Sequence, residues 1–458
     1  MITRSVHALK LATLCFGMAV ALTLSANAQV FPPPAGVEVD ASGILKTRVY
    51  ADPGGELTKM RIRAAKEQID ADLQKPADLR MVSLQRLEAS IKDRLNQGLP
   101  LTDDQKNLAG LTAVSHVFFY PTTQDIVIAG PAEGYFTDLA GRVVGINSGK
   151  PILQLEDLVV ALRAFPPTGE SVKVIGVSID PTQEGSRRLQ ETVNAFRGRF
   201  PGNAELLTQT LREALGNQVV TIKGVSPKTR FAQVLVEADY RMKLIGIGLE
   251  SSPVNFKTYI DSARPNSSNS NQLQRWYFVP DYHTIQVSED ELSMALVGQG
   301  AKLVSADEIV NSDGSRASTA SVSGASKAFT GNFTKNFPKI AEKSPVFADL
   351  KNMIDLAIVA AYIQDMNYYE KSGWEMALFG DENKIQTERF HEPREVAAAI
   401  NAVWKGNYLM TPIGGGVNIQ PRQALATSNM QYDESGKVEQ ARNHVNIDGV
   451  EAKRWWWN

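Results

Sequence analysis

Cysteine content constrains this chain more than any other feature. The sequence has one cysteine, Cys15, and it lies inside an apolar run near the N-terminus. The rest of the chain therefore offers no disulfide framework, no thiolate nucleophile and no cysteine ligand for a metal. Its fold has to be stabilised by burial of apolar side chains. A body of about 430 residues is long enough for two to three domains with ordinary hydrophobic cores.

The N-terminal segment has the three parts of a secretory signal peptide. Arg4 and Lys10 form a basic start, the run from Leu11 to Leu24 is apolar, and Ala26-Asn27-Ala28 supplies a small-x-small cleavage site. We therefore expect residues 1–28 to be removed and the protein to act in the periplasm, in the cell envelope or outside the cell. The alternative is lipoprotein attachment at Cys15, which is disfavoured because Leu14 stands where a small residue is needed.

Charge and hydropathy of the remaining chain limit its partners. Without the leader it has 46 Lys and Arg against 50 Asp and Glu, a net charge of −4. This balance argues against nucleic acid as the main partner, because nucleic-acid binding favours a basic face. The most apolar later stretch, Met353 to Ile363, is short and interrupted by Asp355, so we predict a buried helix and no transmembrane segment after signal cleavage.

The pattern along the chain predicts a mixed fold, between α/β and α+β. We expect a partly parallel sheet with crossover helices, an N-terminal helical arm and a β-rich insertion. The expected segments are a signal peptide at 1–28, a Pro-rich lead and small hairpin at 29–55, the helical arm at 56–98, an α/β core at 99–263, a β-rich segment at 264–310, a flexible loop at 311–331, a helical and mixed part at 332–426 and a polar tail ending in Trp at 427–458.

Several local predictions follow from periodicity and turn residues. Residues 36–50 read as a hairpin with a turn at 40–43, and residues 113–129 as a second hairpin. The arm reads as two helices broken at Lys75-Pro76. Its second helix carries an apolar stripe that either packs on its own domain or pairs with another subunit. That stripe consists of Leu84, Leu87, Ile91 and Leu95.

The middle of the chain alternates between strand and helix patterns. We expect strands at 172–179 and 219–225 joined by helices at 183–200 and 203–215, which favours a parallel crossover. A helix is predicted from Pro227 to about Lys243 with Ser226 as its N-cap, followed by a Gly-containing strand at 245–249. The polar stretches 262–274 and 311–327 are expected to be flexible loops, helices to resume over 333–380, and the chain after Ala426 to be disordered until the terminal tryptophans.

One stretch resembles a known family. The run from Val234 to Glu250, VLVEADYRMKLIGIGLE, is similar to the signature of a secreted bacterial family of unknown function that is abundant in planctomycetes. Residues 149–162, 345–358 and 414–419 are similar to the same family. The resemblance implies no activity, cofactor or site residue, because none is established for that family.

A second, local resemblance concerns residues 149–174. The segment from Gly149 to Arg163, followed by Gly169 to Val174, looks like the second half of a PDZ domain, with a strand, a groove-lining helix and a closing strand. In that fold a peptide terminus adds as an extra strand beside the helix. The carboxylate-binding loop that precedes these elements in PDZ domains is not evident in residues 134–145.

Motifs for the common enzyme classes are missing. The chain has no G-x-S-x-G elbow, no S-x-x-K pair and no complete phosphate-binding loop, and no cofactor is implied. His391-Glu392 has Glu395 where a zinc-binding helix needs its second histidine, and Pro393 would break that helix. The four histidines outside the leader are far apart in sequence, so no metal site is predicted. They are His116, His283, His391 and His444.

Two groups of residues are candidates for a ligand or interface site. The first is Asp239-Tyr240-Arg241, in which Asp239 and Arg241 flank the apolar helix face on opposite sides and Tyr240 points away. Arg241 either binds a carboxylate or phosphate at a cleft edge or forms structural ion pairs. The second group is Trp276 with Tyr282 and His283, which would suit a carbohydrate or peptide platform if exposed and a packed strand if buried.

The terminal Trp455-Trp456-Trp457 is a third feature, because exposed tryptophans reduce solubility. The triplet could dock on the protein body, on a partner or on an envelope surface. Together these observations favour a non-enzymatic interaction or structural role with a protein or envelope partner. The alternatives are a cofactor-independent hydrolase with a carboxylate pair, which leaves no linear motif, and a peptide-binding module through the PDZ-like segment.

Overall fold

The computed structural model describes residues 36–458 apart from 49, 266–271, 307, 311–315, 319–321 and 446. The predicted signal peptide and most of the Pro-rich lead lie outside the described residues. Within them the fold is mixed α/β, as the sequence predicts, with both parallel and antiparallel strand pairs. The helices are α1 (Glu56–Gln68), α2 (Ala71–Gln74), α3 (Leu84–Asn96), α4 (Asp103–Lys106), α5 (Leu155–Ala164), α6 (Gln183–Ala195), α7 (Ala204–Leu215), α8 (Arg230–Gly246), α9 (Tyr259–Ser262), α10 (Gly324–Lys343), α11 (Pro345–Asp365), α12 (Tyr368–Ser372), α13 (Pro421–Ala424) and α14 (Lys437–Asn443).

The strands form two large sheets and two small hairpins. The larger sheet has the order β1 (Val37–Val39), β2 (Ile44–Thr47), β16 (Glu395–Val396), β9 (Gln218–Lys223), β8 (Ile175–Asp180), β19 (Ile413–Ile419), β10 (Gln272–Asp281), β14 (Glu308–Val310) and β15 (Arg316–Ser318), and β13 (Gly300–Ser305) also pairs with β10. The second sheet has the order β20 (Met430–Tyr432), β11 (Thr284–Val287), β12 (Ser293–Val297), β4 (His116–Tyr120), β5 (Asp125–Ala132), β3 (Ala77–Ser83) and β21 (Trp456–Trp457). The hairpins are β6 (Tyr135–Thr137) with β7 (Val143–Gly145) and β17 (Ala402–Trp404) with β18 (Tyr408–Met410).

One core contains side chains from both large sheets and from the helices α5, α8 and α11. The helix α8 packs on β8 and β19 and, on its other sides, on α5 and α11. The helix α11 is buried along almost its whole length, in agreement with its largely apolar sequence. Among the described helices, none is long and apolar enough to cross a bilayer.

Several sequence predictions are confirmed in position. The hairpin β1–β2 forms as expected, because the Asp40 carboxylate accepts hydrogen bonds from the backbone N–H groups of Ser42 and Ile44, both at 3.0 Å. The hairpin β4–β5 is also present. The apolar stripe of α3 packs into the chain's own core, with Leu84, Leu87 and Ile91 fully buried.

Other local predictions are wrong. Residues 77–83, assigned to a helix, form the strand β3, because pairing with β5 outweighs the local helical pattern. The strands β8 and β9 pair antiparallel although α6 and α7 separate them, so this pair is no parallel crossover. The parallel pairs are β10–β19, β2–β16 and β11–β20.

The boundaries of α8 also differ from the prediction. Its N-cap is Thr229, whose side chain accepts a hydrogen bond from Ala232 N, and Ser226 instead lies in the turn that precedes it. The predicted strand at 245–249 is the end of α8 followed by a turn. Helices resume at Gly324, earlier than the predicted residue 333. Both predicted flexible loops contain strand residues, since Gln272–Gln274 belong to β10 and Arg316–Ser318 form β15. The remaining parts of the two predicted flexible loops are largely outside the described residues.

The C-terminal region is ordered where disorder was predicted. After Ala426 the chain forms β20, α14 and β21. The Asp433 carboxylate accepts hydrogen bonds from Ser435 N and Val438 N at the start of α14. Trp455 and Trp457 are buried, so the triplet docks on the body of the protein.

Candidate functional site

The helix α8 carries charged residues on two opposite faces, although almost all of it is buried. At 100° per residue, Arg230, Glu237 and Arg241 fall within a narrow arc, and Asp239 and Lys243 lie on the far side. A buried charge is tolerated only if it is paired and hydrogen-bonded. The partners on each face therefore decide what these residues do.

The first face is part of an ion network that joins four segments of the fold. Asp157 of α5 pairs with Arg230, whose other nitrogen lies 3.0 Å from Asp349 of α11. Arg142, in the loop before β7, lies 3.3 Å from Asp349 and 3.1 Å from Glu237. The series of ion pairs continues from Glu237 through Arg241 to Glu250. We call the whole series the interhelix ion network.

Burial shifts the protonation equilibria in this network. It raises the pKa of Asp157 to about 7, even though the Arg230 guanidinium opposes the shift. Burial likewise raises the pKa of Glu237, against the effect of Arg142 and Arg241. Both shifts come from the loss of hydration of the charged carboxylate.

The second face of α8 carries a fully buried Asp–Lys pair. Lys243 Nζ lies 2.6 Å from Asp239 Oδ2 and also donates to the carbonyl oxygens of Ile179 at 3.0 Å and Gly415 at 3.2 Å. Burial raises the pKa of Asp239 to about 6 and lowers the pKa of Lys243. The pair fixes α8 to the strands β8 and β19.

The first candidate group is therefore divided by the helix. Asp239 faces the larger sheet, and Arg241 lies on the opposite face with its guanidinium 2.7 Å from Glu250 Oε1. Tyr240 is buried. Arg241 and Asp239 thus both have structural ion-pair partners.

The second candidate group is also dispersed. Trp276 is fully buried, its indole N–H donates to Ser326 Oγ at 3.2 Å, and its ring centroid lies 4.5 Å from that of Phe329. Tyr282 donates its hydroxyl to Asp355, and burial raises the pKa of both groups. His283 is exposed. Trp276 thus packs between the larger sheet and α10, whereas Asp239 pairs with Lys243 on α8, and Tyr282 and His283 lie beyond the end of β10.

A cleft lies elsewhere, between α1, α2, α4, β6 and the C-terminal residues. It has a volume of about 1070 Å³, and we call it the open cleft. The helix α1 lines one side of the cleft, and none of its residues is buried. Arg61 of α1 donates hydrogen bonds to the carbonyl oxygens of Thr137 at 3.0 Å and Asp138 at 2.8 Å. None of the six candidate residues lines this cleft.

The chemistry of the open cleft is polar with both signs of charge. Its lining includes four aspartates, three cationic side chains and the aromatic side chains of Tyr135 and Trp456. Asp103 is 2.9 Å from Lys106, and the Lys75 ammonium lowers the pKa of Asp72. The charged lining consists of Asp70, Asp72, Asp103, Asp104, Arg61, Lys106 and Arg454.

The sequence offered little signal for this cleft. The aspartates at 103 and 104 read as the acidic first turn of a short helix, and the N-terminal turn at Thr102 is a capping box with Gln105. Most of its lining comes from residues 61–154, and Arg454 and Trp456 come from at least 300 residues further along the chain. The terminal tryptophans stood out in the sequence, but no cleft was predicted there.

A smaller cleft of about 820 Å³ lies at the end of α8. It is lined by the loop after that helix and by α10, and includes Glu250, Lys339 and Lys343. In the described part of the chain, no group of three or more His, Cys, Asp or Glu side chains is arranged to hold a metal ion.

Comparison with known proteins adds one finding. The model of a family described as a protein of unknown function (DUF1598) matches residues 177–259. The matched segment contains α6, α7, β9 and α8, most of β8, and the run from Val234 to Glu250 quoted above. No curated protein and no solved structure matches the chain.

Proposed function

We propose that this chain is an exported, non-enzymatic binding protein whose ligand site is the open cleft. Export is inferred from the leader-like first 28 residues. The observation that carries the binding role is the placement of the carboxylates. Asp157, Glu237 and Asp239, whose pKa values burial raises, are used in ion pairs of the interior. In the open cleft Asp72 and Asp103 pair with exposed lysines, and Asp104 forms no ion pair among the described residues, so Asp104 is the carboxylate offered for recognition.

A carboxylate-based hydrolase needs a different arrangement. General acid catalysis at neutral pH requires a carboxylic acid of raised pKa beside the substrate, with a second carboxylate opposite. Asp157, Glu237, Asp239 and Asp355 have raised pKa values, and all four are buried and bonded to cationic side chains. Burial also raises the pKa of Asp138, whose carboxylate accepts a hydrogen bond from Arg142 N at 2.8 Å. None of them lines the open cleft. This separation favours binding over hydrolysis.

The PDZ-like alternative would need an open strand edge beside α5. The helix packs against α8 and α11, and eight of its ten residues are buried. Residues 169–174 form no strand. A peptide groove at α5 is therefore the less favoured binding site.

The binding proposal is tested on the chain that starts at Gln29. We would titrate it by calorimetry with soluble peptidoglycan fragments, chitooligosaccharides, and oligolysine and oligoglutamate peptides. Asp104→Asn is expected to weaken binding of the responding compound at least tenfold, because Asp104 lines the open cleft. Glu375→Gln is the control, since it removes one exposed carboxylate that lies outside the cleft.

Two results would contradict the proposal. One is that both variants lose the same affinity or that neither loses any. Either result would place the ligand outside the open cleft. The other is cleavage of a glycan or peptide during the titration. Export is tested separately by cell fractionation and N-terminal sequencing, and a native protein that retains Met1 in the cytosol would refute it.

A further inference from the structure

The last five residues include the two-residue edge strand β21 and contribute two side chains to the lining of the open cleft. We call Arg454–Asn458 the C-terminal strap. Its strand β21 pairs antiparallel with β3, with Trp456 opposite Val82 and Trp457 opposite Met81. Trp455 packs against the main core, and Trp457 packs against the cluster on the other face of the second sheet. The strap is therefore anchored on both faces of that sheet.

Trp456 occupies a position between two guanidinium groups. The guanidinium carbon of Arg80 lies 4.9 Å from the indole centroid, and that of Arg454 lies 5.2 Å from it. The Arg454 Nε also donates to Trp456 O at 3.0 Å. Because Arg454 and Trp456 both line the open cleft, one wall of the cleft is made by the strap.

Arg80 connects this wall to α2 and to the turn around Ala109. Its side chain is fully buried, and burial lowers the pKa of Arg80 to about 10. Within the described part of the chain its hydrogen bonds go to no carboxylate. They go instead to Ala109 O at 2.6 Å, Lys75 O at 2.9 Å and Asn458 Oδ1 at 2.7 Å, with longer contacts to the α2 carbonyls.

Such a cation is stable in the interior only while its acceptors are in place. Undocking of the strap would remove the Asn458 acceptor and the indole that covers the guanidinium. Water would then compete for the donors that hold α2 and the turn around Ala109, and α2 lines the cleft through Asp72 and Leu73.

The strap also has a route by which it can leave. Residues 451–453, which lead into it, and its first residue, Arg454, are exposed. The strand β21 is only two residues long and lies at the sheet edge. A two-residue edge strand with an exposed connection opens at lower free energy than the core strands.

We propose that the C-terminal strap is a detachable wall of the open cleft and that Arg80 couples its docking to the conformation of α2. The ligand half of this inference rests on the proposed function. By thermodynamic linkage, a ligand that contacts Arg454 and Trp456 stabilises the docked strap by the same factor by which docking improves ligand affinity.

Hydrogen exchange of the ligand-free protein tests the coupling. Deletion of residues 454–458 is expected to raise exchange at least tenfold in residues 71–75 and 107–110, and to leave α8 and α11 unchanged. Trp456→Ala keeps the strand pairing and is expected to raise exchange in the same two segments by a smaller factor. Trp404→Ala is the matched control, because Trp404 is 61% exposed on β17 and far in sequence from the strap.

The outcomes separate the two proposals. Unchanged exchange in residues 71–75 and 107–110 after strap removal overturns the coupling, even if the intact chain binds a compound of the panel. If the intact chain binds no compound, the binding proposal fails, and the exchange result still decides the coupling. If the deletion variant does not fold, Trp456→Ala decides, and an exchange pattern equal to that of Trp404→Ala refutes the inference.

Where the intact chain binds a peptidoglycan fragment, affinity supplies a second readout. Strap deletion and Trp456→Ala should each weaken that binding at least tenfold, and Trp404→Ala should not. In addition, the bound fragment should slow exchange of the strap residues themselves. Retained affinity in the deletion variant would show that the strap is no part of the site.

Discussion

Replacement of Lys243 by methionine tests whether α8 is held to the larger sheet by its buried ion pair. Both Lys243 and Asp239 are fully buried, and the ammonium makes three bonds, to Asp239 and to the carbonyl oxygens of Ile179 and Gly415. Methionine keeps the length of the side chain and removes the charge. The carboxylate of Asp239 then loses its cationic partner, and its Oδ1 already lacks a hydrogen bond among the described residues.

The expected cost follows from the loss of one partner of a buried pair, which is about 3–5 kcal/mol. The cost of Lys243→Met should lie near the lower limit of this range, because Asp239 can take up a proton instead of remaining charged. At about 2.1 cal/mol/K per residue, a chain of this length has an unfolding entropy near 0.9 kcal/mol/K, so a loss of about 3 kcal/mol lowers the melting temperature by about 3 °C. The double variant Asp239→Leu, Lys243→Met should recover at least about 1 kcal/mol, because it leaves no unpaired charge.

The assay is thermal unfolding followed by near-ultraviolet circular dichroism at pH 7.5 and pH 5. The penalty of Lys243→Met should be smaller at pH 5, where Asp239 is protonated. The reasoning is refuted if Lys243→Met melts like the wild type at pH 7.5. It is equally refuted if the double variant melts below the single one, since the remaining carboxylate would then not be the cause of the loss.

Three further predictions use the same melting assay. Arg230→Ala should cost about 3–5 kcal/mol, because it leaves the buried Asp157 without its ion-pair partner and Asp349 with Arg142 alone. Arg187→Ala should cost less than about 1 kcal/mol, because its ion pairs are exposed. Gly246→Ala should cost about 1–3 kcal/mol, because the new Cβ would lie 2.3 Å from a carbon of the buried Trp276 indole. Gly331→Ala should stabilise the fold by about 0.5–1 kcal/mol, because its new Cβ would have no atom within 4 Å and alanine favours a helix over glycine. Burial raises the pKa of Asp239 to about 6 in the folded state. The contribution of this shift to the free energy of unfolding is complete below the ordinary pKa of an aspartate, and it is lost as the pH rises through about 6. The melting temperature should therefore fall between about pH 4 and about pH 6, and Asp239→Asn should show a shallower fall; an equal slope in both proteins would show that Asp239 does not titrate there.

Local sequence patterns predicted elements well where the side chains that decide them are neighbours. The β1–β2 turn depends on Asp40 and the two backbone N–H groups that follow it, and the hairpin formed as expected. The start of α8 was misplaced because Ser226 and Thr229 can both cap a helix. The hydrogen bond from Thr229 Oγ1 to Ser226 O makes the first of them part of a turn.

Elements decided by distant contacts were not predictable. The strand β3 has a helical pattern in isolation and becomes a strand by pairing with β5 and the strap. The partners of Arg230 are Asp157 and Asp349, which are 73 and 119 residues away. Ion pairs over such separations leave no spacing rule in the sequence, and for this reason the charges of α8 could be read either as a site or as a structural network.

The segment matched by the family model and the proposed binding site occupy different parts of the molecule. The charged residues of α8 within residues 177–259 are bonded to partners of the interior, and the open cleft and the strap are built from residues outside that range. Substitutions in α8 should therefore act first on stability, and substitutions in the cleft or the strap first on binding. A variant of α8 that lost affinity at an unchanged melting temperature would show that this division is false, and that the helix reaches a ligand directly.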